Sequence, residues 1–157
     1  ISRSDAIIVF VRRRPIDTYI SHMKAATLGK WSQVDTTNLK IKIDATEFLN
    51  WWQQALDWYH CLEAACWAHG RLLNHLVYED DIDIAPQQLA QKLVALLTRN
   101  GVPNLTTPDL RQFEGIHRQD CTEAVEQRVS NWPEFYDQLA AMGAKEKAFD
   151  LIPQLKP

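Results

Sequence analysis

Arg12, Arg13 and Arg14 stand in a row directly after the apolar run Ala6-Ile7-Ile8-Val9-Phe10-Val11, and Asp17 and Ser21 follow Arg13 at intervals of four. An arginine presents a planar, charged fork of donors that matches phosphate oxygens. Where a strand feeds a helix, free backbone N–H groups and the positive end of the helix dipole meet at one place, so this segment outlines an anion site. Ser21 can add a hydroxyl donor to the same anion if the chain bends back over the helix start. Three adjacent arginines alone would read as a solvated basic turn; Asp17 and Ser21 in register favour the site.

The elements that must position these residues are legible on either side. The run Ala6 to Val11 is continuous and rich in β-branched residues, as expected of a central parallel strand covered on both faces. Pro15 suits the first turn of a helix, Asp17 lies near its positive end, and Ile16, Tyr19, Ile20 and Met23 recur at helical spacing. After a polar connection, Asp44-Ala45-Thr46-Glu47 has the capping-box pattern, with Asp in place of Ser or Thr. A long helix is expected from there to about His69, with Phe48, Leu49, Trp52, Leu56, Tyr59, Leu62 and Cys66 in a 3.6-residue rhythm and Gly70 as its left-handed end.

A second strand is expected over Leu72 to Tyr78, ended by the acidic Glu79-Asp80-Asp81. Pro86 opens a helix with Leu89, Leu93, Leu96 and Leu97 on one face, closed by Gly101 and Pro103. Residues 103–130 read as irregular, Asn131-Trp132-Pro133 caps a last helix ending near Gly143, and the tail beyond Lys145 reads as loosely held. The order strand, helix, helix, strand, helix, helix predicts an α/β layer protein. A parallel pair this apolar needs further strands beside it, a physical reason to expect that some are missing.

Composition bounds the possibilities. The chain of 157 residues suits one domain, and 46% hydrophobic with 24% charged residues is the balance of a globular protein. A net charge of −3 argues against a dedicated nucleic-acid binder. Cys61, Cys66 and Cys121 match neither a zinc spacing nor a disulfide scaffold, so a reducing, cytoplasmic setting is expected. No apolar run is long enough to span a bilayer, and the first residues have no signal-peptide pattern. The chain begins at Ile1 and enters its first apolar run almost at once, from which we expect upstream sequence to have been removed or left out.

Arg13, Asp17 and Ser21 match Arg-x-x-x-Asp-x-x-x-Ser after a hydrophobic strand, and in this the chain resembles the sulfotransferases that use 3′-phosphoadenosine 5′-phosphosulfate (PAPS). Arg12-Arg13-x-Pro15 looks like the bacterial form of that motif. Val77-Tyr78-Glu79-Asp80, then Pro86 and a leucine-rich helix ending in Gly101-Val102-Pro103, is similar to the family's Tyr-Glu-Asp segment, its helix and its closing Gly-Val. Arg118-Gln119 and Glu126-Gln127-Arg128-Val129-Ser130-Asn131-Trp132 are similar to the C-terminal basic loop and Asn-led helix of bacterial members.

The resemblance implies a P-loop-hydrolase-like, three-layer α/β fold with a parallel sheet, here partial and helix-rich. It implies that Arg13 and Ser21 hold the 3′-phosphate of PAPS and of its product PAP, that Tyr78 lies near the adenine, and that Arg118 closes over the nucleotide. Asp17 is expected to support the helix start. The acceptor would be a hydroxyl or amine on a carbohydrate or small metabolite, and a homo-oligomer is compatible with the pattern. The family's N-terminal phosphosulfate loop and its catalytic base have no counterpart here, so turnover by these residues alone is not expected. The consecutive carboxylates Glu79, Asp80 and Asp81 do not share one face, and PAPS chemistry needs no metal.

Two other readings remain open at this stage. One is a non-catalytic helical domain in which the Trp-rich helix docks a partner; Trp51, Trp52, Trp58 and Trp67 are assigned here to core, with an interface as the alternative. The other is a nucleotide kinase-like protein, which the absence of a Gly-x-x-x-x-Gly-Lys-Ser/Thr run disfavours.

Overall fold

A parallel β-pair carries Arg12, the first of the three consecutive arginines. In the computed structural model, which describes residues 6–31, 34–110, 122 and 124–155, β1 (Ile8–Arg12) pairs with β2 (Leu73–Val77) in the register Ile8↔Leu73 to Arg12↔Val77. Among the described residues six α-helices accompany them: α1 (Pro15–Leu28), α2 (Ala45–Ala68), α3 (Pro86–Arg99), α4 (Val125–Arg128), α5 (Trp132–Ala141) and α6 (Lys145–Phe149). A π-helical turn, Tyr78–Ile82, comes directly after β2. The chain is thus mixed α/β and helix-rich, with a two-stranded parallel sheet among the described residues. No described helix is long and apolar enough to cross a membrane.

Local signals set several boundaries as expected. Pro15 and Pro86 each open a helix, where their missing N–H costs nothing. Asp44 Oδ1 accepts from the Thr46 and Glu47 amides at 2.8 and 3.0 Å, the N-cap that starts α2. At the other end Gly70 has φ +62, and the Arg71 amide donates back to the Cys66 carbonyl at 2.9 Å, so α2 closes on a left-handed glycine.

The residues fall into two compact units, 1–13 with 60–116 and 155–157, and 14–59 with 117–154. The second holds the larger core. Ile16, Tyr19 and Ile20 of α1, Phe48 and Trp52 of α2, Phe135 and Leu139 of α5, and Ala148 of α6 are buried together. Tyr19 meets Phe48 edge-on at 5.4 Å, and Phe48 meets Phe135 in the same way at 5.7 Å. In the first unit Asn74 Nδ2 donates to Asn100 Oδ1 at 3.2 Å and to the Ile8 carbonyl at 3.2 Å, tying β2 to β1 and to the end of α3.

Several expectations need correction. The β1 strand is neither central nor covered on both faces: among the described residues only β2 pairs with it, and while Phe10 and Arg12 are buried on one face, Val11 on the other is exposed. The tail beyond Lys145 is not loose, since α6 forms there and Ala148 and Ile152 are buried in the core; apolar residues at that spacing find a face to cover. A short helix, α4, interrupts the stretch expected to be irregular. On α3 it is Ala90 and Leu96 that are buried, while Leu93 is exposed at the rim of the stripe. Trp58 is 59% exposed and belongs to no core, whereas Trp52 is buried and Trp51 packs beside it. Asn131 makes no side-chain cap for α5.

The cap on α2 is the most isolated of these local interactions and so the easiest to measure. Asp44→Ala removes the acceptor of two amides and is expected to lower stability by about 1 kcal/mol in urea unfolding, with the slope unchanged.

Candidate functional site

The three arginines have three different fates. Arg12, the last residue of β1, points inward and is 3% exposed; its Nη2 is paired with Glu63 of α2, which is fully buried. Its Nε donates to His75 Nδ1 at 3.3 Å, and Glu63 Oε2 accepts from the Leu155 amide at 2.7 Å. A guanidinium and a carboxylate removed from water need this kind of mutual pairing, since either alone would carry a large desolvation penalty. Arg12 is therefore part of the interior and unavailable to an anion.

Arg13 is placed differently. The register that pairs Arg12 with Val77 sets Arg13 and Tyr78 side by side just past the carboxyl ends of both strands. The Arg13 guanidinium lies over the Tyr78 ring, 4.5 Å from its centroid, and its Nε is 4.0 Å from Glu79 Oε1. Such a cation–π contact orients the planar fork, and Arg13 is 29% exposed. The crevice beyond the carboxyl ends of parallel strands is also where α/β proteins place ligands.

Arg14 begins the second unit and turns to Asp17, its Nε 2.7 Å from Asp17 Oδ2. Asp17 is buried, and its Oδ1 is paired with Arg128 of α4. The carboxylate at the helix start is thus a structural clasp between α1 and the segment around α4, in keeping with the support expected of it. Ser21 is exposed on α1, and its hydroxyl donates to the Asp17 carbonyl at 2.9 Å. An anion binding Ser21 would have to draw that hydrogen outward, which a hydroxyl rotation allows.

The pairing of Arg128 with Asp17 has no local sequence signal, because the two are 111 positions apart. Its placement depends on a short parallel association of two extended segments. The Ile41 amide donates to the Arg128 carbonyl at 3.2 Å, and the Ser130 amide donates to the Ile41 carbonyl at 2.8 Å. Asn131 then brackets Ile43, its Oδ1 accepting from the Ile43 amide at 3.0 Å and its Nδ2 donating to the Ile43 carbonyl at 2.8 Å. The sequence held a sign of this in Lys40-Ile41-Lys42-Ile43, whose lysines are exposed and whose isoleucines are buried, a period of two.

The acidic stretch after β2 also has a structural use. Asp81 accepts from the Val77 amide at 2.8 Å and from Lys92 Nζ at 2.7 Å, which hold its carboxyl below the usual carboxylate range, the lysine having the larger effect. Lys92 also donates to the Asp80 carbonyl at 2.8 Å, so α3 clamps the π turn that carries Tyr78 and Glu79. No group of three His, Cys, Asp or Glu suited to a metal occurs among the described residues. Of the sequence-predicted site residues, Arg13 and Tyr78 are brought together, Ser21 lies on α1, and Arg118 falls outside the described residues. Comparisons with protein-family models, with curated proteins and with solved structures found no match.

The Asp17 clasp has one buried and one exposed partner, and the two should differ in worth. Asp17→Ala strands the buried Arg128 and is expected to cost about 3–5 kcal/mol. Arg14→Ala, at a residue 42% exposed, should cost about 1 kcal/mol or less. Urea unfolding of the two variants side by side checks the contrast.

Proposed function

We propose that this chain supplies the 3′-phosphate half of the cofactor site of a PAPS-dependent sulfotransferase, acting on a hydroxyl or amine acceptor. The observation that supports the reading most is the juxtaposition of Arg13 and Tyr78 at the carboxyl ends of the parallel pair. A doubly charged 3′-phosphate calls for a charged donor, and an adenine calls for an aromatic or apolar neighbour; the motif resemblance assigns those two roles to these two residues. With one face of Tyr78 taken by Arg13, a base would rest against the ring's edge or its other face. Glu79 would have to yield its share of Arg13 as the phosphate arrives.

In this scheme the acceptor oxygen or nitrogen bonds to the sulfur of PAPS while the bond from sulfur to the bridging phosphate oxygen breaks, and PAP leaves with the electron pair. The acceptor's proton goes to a base that lies outside these motifs. The motif resemblance assigns Arg13 and Ser21 each to the 3′-phosphate and neither to the reacting sulfur, which makes them binding residues in this proposal. Arg118, by the same resemblance, closes over the nucleotide.

A second reading, a helical interaction domain, is favoured by one observation, the exposed Trp58 on α2. Indifference to nucleotide is its mark.

Calorimetric titration with PAP, using adenosine 5′-phosphate as the control that lacks a 3′-phosphate, separates the two. The expected result is selective PAP binding, weakened roughly ten- to a hundredfold in Arg13→Ala, as for loss of a charged hydrogen-bond donor. Equal or absent binding of both nucleotides to this chain, persisting when the chain is supplied with a phosphosulfate-loop half, would overturn the sulfotransferase reading.

A further inference from the structure

The turn that carries Tyr78 is a conformation the chain does not hold by local preference. Its i→i+5 bond, from the Asp83 amide to the Tyr78 carbonyl at 2.8 Å, belongs to a rare class of turn, and none of Tyr78–Ile82 is buried, so the core does little to fix it. Polar side chains act on it instead. Asp81 Oδ2 accepts from the Val77 amide at 2.8 Å, tying the turn back to the end of β2. Lys92 of α3 donates to Asp81 Oδ1 at 2.7 Å and to the Asp80 carbonyl at 2.8 Å. Arg13, β2, the turn and α3 all lie in the first compact unit.

We propose that Lys92 is a positioning residue of the nucleotide site: by fixing the turn through Asp80 and Asp81 it sets the Tyr78 ring against the Arg13 guanidinium, and so sets the affinity for a nucleotide carrying a 3′-phosphate. The identity of that ligand rests on the PAPS reading; the stacking of ring and guanidinium does not, since it is a contact within the chain. Lys92 acts through Tyr78 and is assigned no contact with the nucleotide.

The effect is local rather than global. Ion pairs open to water contribute little to overall stability, and Lys92 is 44% exposed. A lysine kept for stability alone would therefore be nearly silent on removal. Without its two donor contacts the turn samples other arrangements, the ring spends less time against Arg13, and the ligand meets a competent site for a smaller fraction of the time, which weakens apparent affinity in proportion. Met at this position keeps a flexible, helix-forming stem and loses the donors; Arg keeps the charge and can reach both acceptors.

The test follows the side-chain N–H resonance of Arg13 in isotopically labelled chain, assigned by its loss in Arg13→Lys, with Tyr78→Leu as the unstacked reference. The same samples are titrated with PAP by calorimetry and unfolded in urea. In Lys92→Met the expected result is an Arg13 resonance moved toward its Tyr78→Leu position and PAP binding weakened about two- to fivefold, with the urea midpoint nearly unchanged. Lys92→Arg should restore both the resonance and the affinity. An Arg13 resonance or a PAP affinity that stays at the wild-type value in Lys92→Met would overturn the proposal. So would a failure of Lys92→Arg to restore them, a large fall in the urea midpoint accompanying the change, or a wild-type resonance no different from that in Tyr78→Leu, a comparison that needs no Lys92 variant. If the wild-type chain binds no PAP even with a phosphosulfate-loop half supplied, the PAPS reading falls, and the resonances alone decide whether Lys92 sets the stack.

Discussion

Arg12 and Glu63 set the terms for the rest of the first unit. A buried guanidinium at the end of β1 cannot stay out of water without a carboxylate within reach, and α2 must therefore bring Glu63 to that spot. Once it does, His75 of the neighbouring strand and the Leu155 amide find their partners in the same pair. With Arg12 held inward, the alternation of a strand turns the next residue the other way, and Arg13 emerges over Tyr78. The position of the candidate anion-binding arginine is a consequence of a neighbour that cannot bind anything.

The same rule operates at the start of α1. Asp17 lies in the first turn, where the helix dipole favours a negative charge, yet the dipole alone would not justify burying it. Two arginines do, Arg14 from the turn before and Arg128 at the end of α4. A run that composition presents as a basic patch is, once folded, three cations each beside a carboxylate: Glu63, Glu79 and Asp17. For ligand binding this means that Arg13 alone of the three combines exposure at the strand ends with an oriented guanidinium. Any nucleotide phosphate there competes with Glu79.

Lys92 and Asp81 show how a site can be held without touching it. The residues after β2 would by composition be an acidic loop, but Asp81 folds back on the Val77 amide and Lys92 draws the turn onto α3. Tyr78 therefore has a fixed place at the strand end, and the ring that orients Arg13 does not depend on a free loop. Binding at such a place needs little reordering of the chain, which is the condition for a modest number of contacts to give useful affinity.

The residues determined by themselves the features governed within one or two turns of chain. Pro15 and Pro86 open helices, Asp44 caps one, Gly70 closes one, and the apolar run into Arg12 forms a strand, because proline geometry, a cap bond and glycine's left-handed φ act locally. The candidate pair Arg13 and Tyr78 was legible only as two motifs; it took the strand register to set them side by side. The pairing of Arg12 with Glu63, 51 positions away, and of Asp17 with Arg128, 111 away, had no local signal, since any carboxylate in the chain could have served either arginine. The burial of α6, the exposure of Trp58 and the bracketing of Ile43 by Asn131 were likewise decided only in the folded chain. Which face of a helix is covered, and which donor meets which acceptor, depends on neighbours that arrive from elsewhere in the sequence, and that geometry exists only after the core has formed.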